Sequence, residues 1–105
     1  MGKNRILVVY NTCGLSIEPD ERHWIKEIEM LLAQSMPGVH IVHSDCGTSA
    51  EKRSVVKDYF GTKISYYHTP EGLPVQQTCN HAIKNVIKQK GRFEFYCYLG
   101  AGINM

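Results

Sequence analysis

The sequence predicts an α/β fold of three layers, with helices on both faces of a four-stranded, mainly parallel sheet. Three observations lead there. Short runs rich in β-branched and aromatic residues alternate with longer segments whose apolar residues recur at helical spacing. The first run, Ile6-Leu7-Val8-Val9-Tyr10, is apolar without interruption, as a strand covered on both faces should be. Each helical segment is closed by a glycine, at Gly38, Gly61 and Gly91.

Taken in order, Ile6–Tyr10 forms the first strand and Asn11-Thr12-Cys13-Gly14 leaves it. Asp20 caps a helix whose stripe is Trp24, Ile25, Ile28, Leu31 and Leu32, ended by Met36-Pro37-Gly38. Val39–His43 is the second strand, with Ser44-Asp45-Cys46-Gly47 as its exit. Thr48-Ser49-Ala50-Glu51 has capping-box spacing and opens a short helix through Val55, Val56, Tyr59 and Phe60, stopped by Gly61. Ile64–His68 is the third strand, and Thr69-Pro70-Glu71-Gly72 carries turn chemistry. Pro74 suits the first turn of a third helix with the stripe Val75, Cys79, Ala82, Ile83 and Val86. Phe93–Leu99 is an aromatic fourth strand followed by a flexible Gly100-Ala101-Gly102. The alternation β-α-β-α-β-α-β requires right-handed crossovers between parallel strands, which wind outward and then reverse. The expected sheet order is therefore 3-2-1-4, a Rossmann-like arrangement, with residues 1–105 as one domain.

Composition narrows the function classes. With 43% hydrophobic and 21% charged residues the chain is an ordinary globular sequence, and no apolar run approaches the ~20 residues of a membrane span. Five apolar residues after Arg5 are too few for a signal peptide, so a cytoplasmic location is expected. A net charge of +2 gives no argument for nucleic acid. Cys13, Cys46, Cys79 and Cys97 show no CxxC or paired spacing, so free thiols are expected and no metal site. Neither GxxxxGK[ST] nor GxGxxG occurs, which removes the P-loop and the dinucleotide fingerprint.

The candidate site lies at the carboxyl ends of the strands, where open parallel sheets bind ligands. Asp45, two residues beyond its strand, is positioned to accept hydrogen bonds from a ligand; its other role would be to cap the next helix, which Thr48 can do instead. His68 ends a strand at the same edge. His40 and His43, three apart on one strand, face opposite sides and cannot share a metal. His23 and His81 read as surface or structural residues.

These segments resemble the opening of family 2-like glycosyltransferases with the GT-A fold. The residues that carry the resemblance are the first strand into Tyr10-Asn11-Thr12, then Ser44-Asp45-Cys46-Gly47-Thr48-Ser49, the stretch from Tyr66 to Pro74, and Asn80-His81-Ala82-Ile83. Phe95-Tyr96-Cys97-Tyr98-Leu99 is similar to the strand that leads to the family's metal-binding Asp-x-Asp. The resemblance spans nearly the whole chain but only the nucleotide-binding half of a family member. It implies that Tyr10, Asn11 and Thr12 surround the base and ribose of a uridine-type nucleotide. It further implies that Asp45 bonds the base and that Asn80 borders the diphosphate; His68 joins this nucleotide-binding set. Where the family has Asp-x-Asp, this chain has Leu99-Gly100-Ala101-Gly102, so the manganese or magnesium usual there lacks its ligands. No cofactor is expected with certainty.

The resulting expectation is a nucleotide-sugar donor-binding half-domain, truncated or degenerate, that transfers sugar weakly or not at all alone. The alternative is a non-enzymatic association module acting through an exposed edge strand. A flavodoxin-like or response-regulator-like domain would want acids after the first strand, and Tyr10-Asn11-Thr12 has none. The aromatic fourth strand leads to the expectation of a homo-oligomer, or of a missing second half that covers it.

Overall fold

The computed structural model describes residues 5–13, 21–34, 36–46, 50–69 and 75–100. The elements are β1 (Ile6–Cys13), α1 (Glu21–Gln34), β2 (Val39–Cys46), α2 (Ala50–Phe60), a short 3-10 turn (Gly61–Lys63), β3 (Ser65–Thr69), α3 (Val75–Lys90) and β4 (Phe95–Gly100). The expected Asp20 cap, the Thr48-Ser49 half of the capping box, the Pro70–Pro74 turn and Ala101-Gly102 lie outside the described residues, as does the side chain of His23.

All three strand pairings are parallel and the order is β3-β2-β1-β4, as the alternation of elements requires. Ile6 is opposite Val39 and Phe95, and Val42 is opposite Ser65. Strand parity divides the core in two. Leu7, Val9 and Val42 point toward α3 and pack with Cys79, Ala82, Val86 and Phe93. Tyr10 and Ile41 point the other way and pack with Trp24 and Ile28 of α1 and with Val56 and Phe60 of α2. This is why the first strand reads as an unbroken apolar run: each face has its own helical cover. Each fully buried aliphatic side chain among these contributes about 1.5–3 kcal/mol relative to exposure.

The helices follow from their stripes. Trp24 and Ile28 of α1 are one turn apart and buried, with Ile25, Leu31 and Leu32 partly covered beside them. In α2 the stripe is narrower than the sequence suggests. Val56 and Phe60 are buried, whereas Val55 and Tyr59 are about half exposed, and the Tyr59 hydroxyl donates to Glu29 of α1. Gly61 ends α2 with φ +58°, the left-handed conformation that disfavours any residue with a Cβ. Gly91 (φ 89°) closes α3 and donates its N–H to the Ile87 carbonyl at 2.8 Å.

The largest departure from the sequence reading is strand length. β1 runs to Cys13 and β2 to Cys46, three residues beyond the apolar runs in each case. Asn11-Thr12-Cys13 and Ser44-Asp45-Cys46, expected to lie in turns, are therefore paired strand residues. β4 is an edge strand and begins at Phe95 rather than Phe93, which instead packs under α3. No helix among the described residues is long and apolar enough to cross a membrane.

Candidate functional site

The carboxyl halves of β1, β2 and β3 stack two rows of side chains on the face that α1 and α2 cover. In the first row, register places Tyr10 opposite His43 and His43 opposite Tyr66. In the second, Thr12 is opposite Asp45 and Asp45 opposite His68. Hydrogen bonds run both within the second row and between the rows. Thr12 Oγ1 donates to Asp45 Oδ1 at 2.7 Å, and the Tyr66 hydroxyl donates to Asp45 Oδ2. The carboxylate is 0% exposed, so each strand neighbour supplies one hydroxyl to a buried charge.

The proton count on Thr12 fixes the state of His43. The Thr12 hydroxyl has one proton, and Asp45 receives it. The 2.8 Å contact between Thr12 Oγ1 and His43 Nε2 must therefore be a bond that His43 donates. Nε2 therefore carries a proton, and because burial disfavours the imidazolium His43 is the neutral Nε2–H tautomer, with Nδ1 unprotonated. That atom is buried without a partner among the described residues, as is the indole nitrogen of Trp24, whose ring centroid is 5.6 Å from that of His43. Tyr10 and Tyr66 complete an edge-on aromatic enclosure. Burial lowers the His43 pKa from 6.5 to about 4, against the opposing pull of Asp45. Burial, followed by the bond to Asp45, pushes the Tyr66 phenol well above its ordinary range. Tyr10 is raised in the same way, by burial and then by its hydrogen bond to Glu27.

The residues singled out from sequence divide between the faces of the sheet. Tyr10, Thr12, Asp45 and His68 share the α1/α2 side, and Thr12 and Asp45 are in direct contact. Asn11 faces α3, where its Oδ1 accepts from Thr78 Oγ1 at 3.4 Å and from Cys79 Sγ at 3.7 Å. Asn80 is exposed on α3, and no hydrogen bond among the described residues joins it to the others. His40, as expected, lies on the face opposite His43, bonded to Ser65 at 2.7 Å. Cys46 and Cys79 are buried thiols outside any disulfide, and Cys97 is an exposed one.

Sequence reasoning passed over His43, Tyr66 and Arg53. Arg53 Nη1 lies 3.1 Å from His68 Nδ1. A guanidinium can only donate, so this His68 nitrogen is the acceptor. Strand parity was the available signal, because residues 41, 43 and 45 face the same side as 64, 66 and 68 once the order 3-2-1-4 is fixed. Among the described residues no three His, Cys, Asp or Glu side chains come together as a metal site. The end of β4 offers Leu99 and Gly100, neither with a side-chain oxygen, so these residues do not fit a divalent ion. Comparison with protein-family models, curated proteins and solved structures finds no match to this chain.

The arrangement sets a pH dependence. His43 has a folded pKa near 4 and an unfolded value near 6.5, so its stabilising contribution is complete above 6.5 and is lost as pH falls toward 4. Half-buried His40, also lowered to about 4 by burial and then by Lys90, acts with the same sign. Urea unfolding of the parent should lose stability between pH 7 and pH 4.5, with His43 contributing a slope of up to about 1.4 kcal/mol per pH unit. His43→Gln, which keeps an N–H donor for Thr12, should flatten the profile; an unchanged slope would show that His43 does not titrate as described.

Proposed function

We propose that the chain is a nucleotide-binding module of the glycosyltransferase type, holding the uridine part of a nucleotide-sugar donor at the carboxyl edge of β1 and β2. The observation that carries this reading is the Thr12–Asp45 pair at the ends of adjacent parallel strands. It stands beside the point where the 3-2-1-4 order reverses its winding between β1 and β4, the place where open parallel sheets bind ligands. The resemblance of the Ser44–Ser49 and Tyr66–Ile83 segments to donor-pocket segments of that family supports the same choice.

The chemistry asked of the site is recognition. A base N–H that reaches Asp45 Oδ2 takes the place of the Tyr66 hydroxyl, and Tyr66 turns away to admit it. Asn11 lies at the end of the neighbouring strand, on the α3 side. Because Leu99 and Gly100 do not fit a divalent ion, the reading is binding of the donor rather than sugar transfer by these residues. Calorimetry with uridine, guanosine and adenosine diphosphates should show preference for uridine and little effect of manganese. Asp45→Asn should weaken the uridine ligand by about 1–3 kcal/mol. Binding indifferent to base and to Asp45, in a variant whose melting shows it folded, would remove this reading.

A second reading rests on β4. Phe95 is 60% and Tyr98 57% exposed, with Tyr96 and Leu99 also exposed, on a strand paired only with β1 among the described residues. Unpaired N–H and C=O groups flanked by aromatic side chains on both faces make an edge suited to pairing with another chain. On this reading the chain is an association module that joins a second copy through β4. Sedimentation at high micromolar concentration should then show a dimer that Tyr98→Lys dissociates; a monomer throughout would refute it.

A further inference from the structure

A cleft of about 270 Å³ opens at the outer edge of β3, between α2 and the end of α3 that carries His81. Because β3 is an edge strand, side chains of both parities reach the cleft: Tyr66 and His68 from one face, Tyr67 from the other. Two cations enter it from α2. Arg53 and Lys57 are four residues apart and thus on one side of the helix. Neither has a carboxylate within ion-pair distance among the described residues. Arg53 meets the unprotonated nitrogen of His68, and its Nε is buried without a partner. Lys57 Nζ stands 6.0 Å from the centre of the Tyr66 ring. Ser54 lies on the same wall, one turn into α2.

A guanidinium that meets an imidazole acceptor and an ammonium that stands over a phenol ring place two positive charges in one concave site with no carboxylate paired to either among the described residues. The partner that satisfies both is a dianion with several acceptor oxygens. We propose that this cleft binds the phosphoryl group of a small phosphorylated ligand, with Arg53 as the forked donor and Lys57 as the second charge. Ser54 and His81 are within the lining to add bonds, and Tyr67, whose ring meets His81 edge-on, gives the organic part an aromatic wall. The site goes beyond the uridine reading, which rests on Asp45 and β1. The two meet at Tyr66, which lines the cleft and bonds the Asp45 carboxylate.

The test is titration of the intact chain with inorganic phosphate, followed by amide chemical shifts at constant ionic strength. Saturable shifts are expected for residues 53–57 and 66–68. Arg53→Gln should weaken binding about tenfold or more. Lys57→Gln, at an exposed position that leaves folding undisturbed, should weaken it in the same direction. Lys84→Gln, exposed on α3, should leave it unchanged. Shifts that fail to saturate, or an affinity unaltered by both cleft variants, would overturn the proposal. Uridine, which has no phosphate, separates this site from the donor reading. Phosphate binding without uridine binding keeps the cleft and removes the donor pocket. Uridine binding that depends on Asp45, without phosphate binding, does the reverse. Competition of uridine monophosphate against glucose phosphate then shows on which kind of molecule the phosphoryl group arrives.

Discussion

A buried carboxylate shared by three strands is the constraint around which the carboxyl end of the sheet is arranged. Asp45 has no exposure to solvent, and an ionised group so placed persists only where donors replace its water. Thr12 supplies one donor from β1 and Tyr66 another from β3, so the bonds cross both borders of β2. Thr69 adds a weaker tie, from its hydroxyl to the Asp45 backbone carbonyl at 3.3 Å. The consequences spread outward. Because the Thr12 proton goes to Asp45, His43 has to donate from Nε2, and its burial keeps it neutral. Because the Tyr66 hydroxyl is drawn inward, its ring is held against Lys57 and forms one wall of the cationic cleft.

The same constraint explains what the sequence made legible and what it hid. The order of elements, the parallel pairing and the 3-2-1-4 order all follow from apolar periodicity and from glycine stops, and they are seen as expected. Strand ends were misjudged because periodicity is a signal of apolar burial. Asn11, Thr12, Ser44 and Asp45 are polar and read as turn residues, yet Thr12, Ser44 and Asp45 are buried in the sheet and Asn11 is half-buried. Thr12 and Asp45 are buried because they satisfy one another together with Tyr66, a relation between residues 12, 45 and 66 that no local window contains, whereas Asn11 is held from α3 by Thr78 and Cys79. The alternative role of Asp45 as a helix cap is removed by the same extension of the strand: a residue inside β2 cannot cap the helix that follows. α2 shows the converse error, since Val55 and Tyr59 are apolar enough to suggest a stripe but face solvent.

The two edges of the sheet differ in chemistry as well as position. At the β3 edge the neighbours are Arg53, Lys57 and imidazoles, which suit an anion and discourage indiscriminate strand pairing. At the β4 edge the exposed groups are Phe95, Tyr96, Tyr98 and Leu99, and the Arg5–Glu94 ion pair at 3.5 Å lies at its start. The cationic cleft and the aromatic edge are thus separated by the width of the sheet. Only the β3 side shares a residue, Tyr66, with the buried carboxylate.

The most direct test of this account is a double-mutant cycle between Thr12→Val and Asp45→Asn, read by urea unfolding at neutral pH. Thr12→Val keeps the side-chain shape and removes the hydroxyl that links Asp45 to His43. If the carboxylate is held by that hydroxyl, the two changes should be coupled by about 1–3 kcal/mol, with the double variant less destabilised than the sum of the singles. Losses that add to within about 0.3 kcal/mol would contradict the account, because Asp45 would then depend on something other than its neighbours in the sheet.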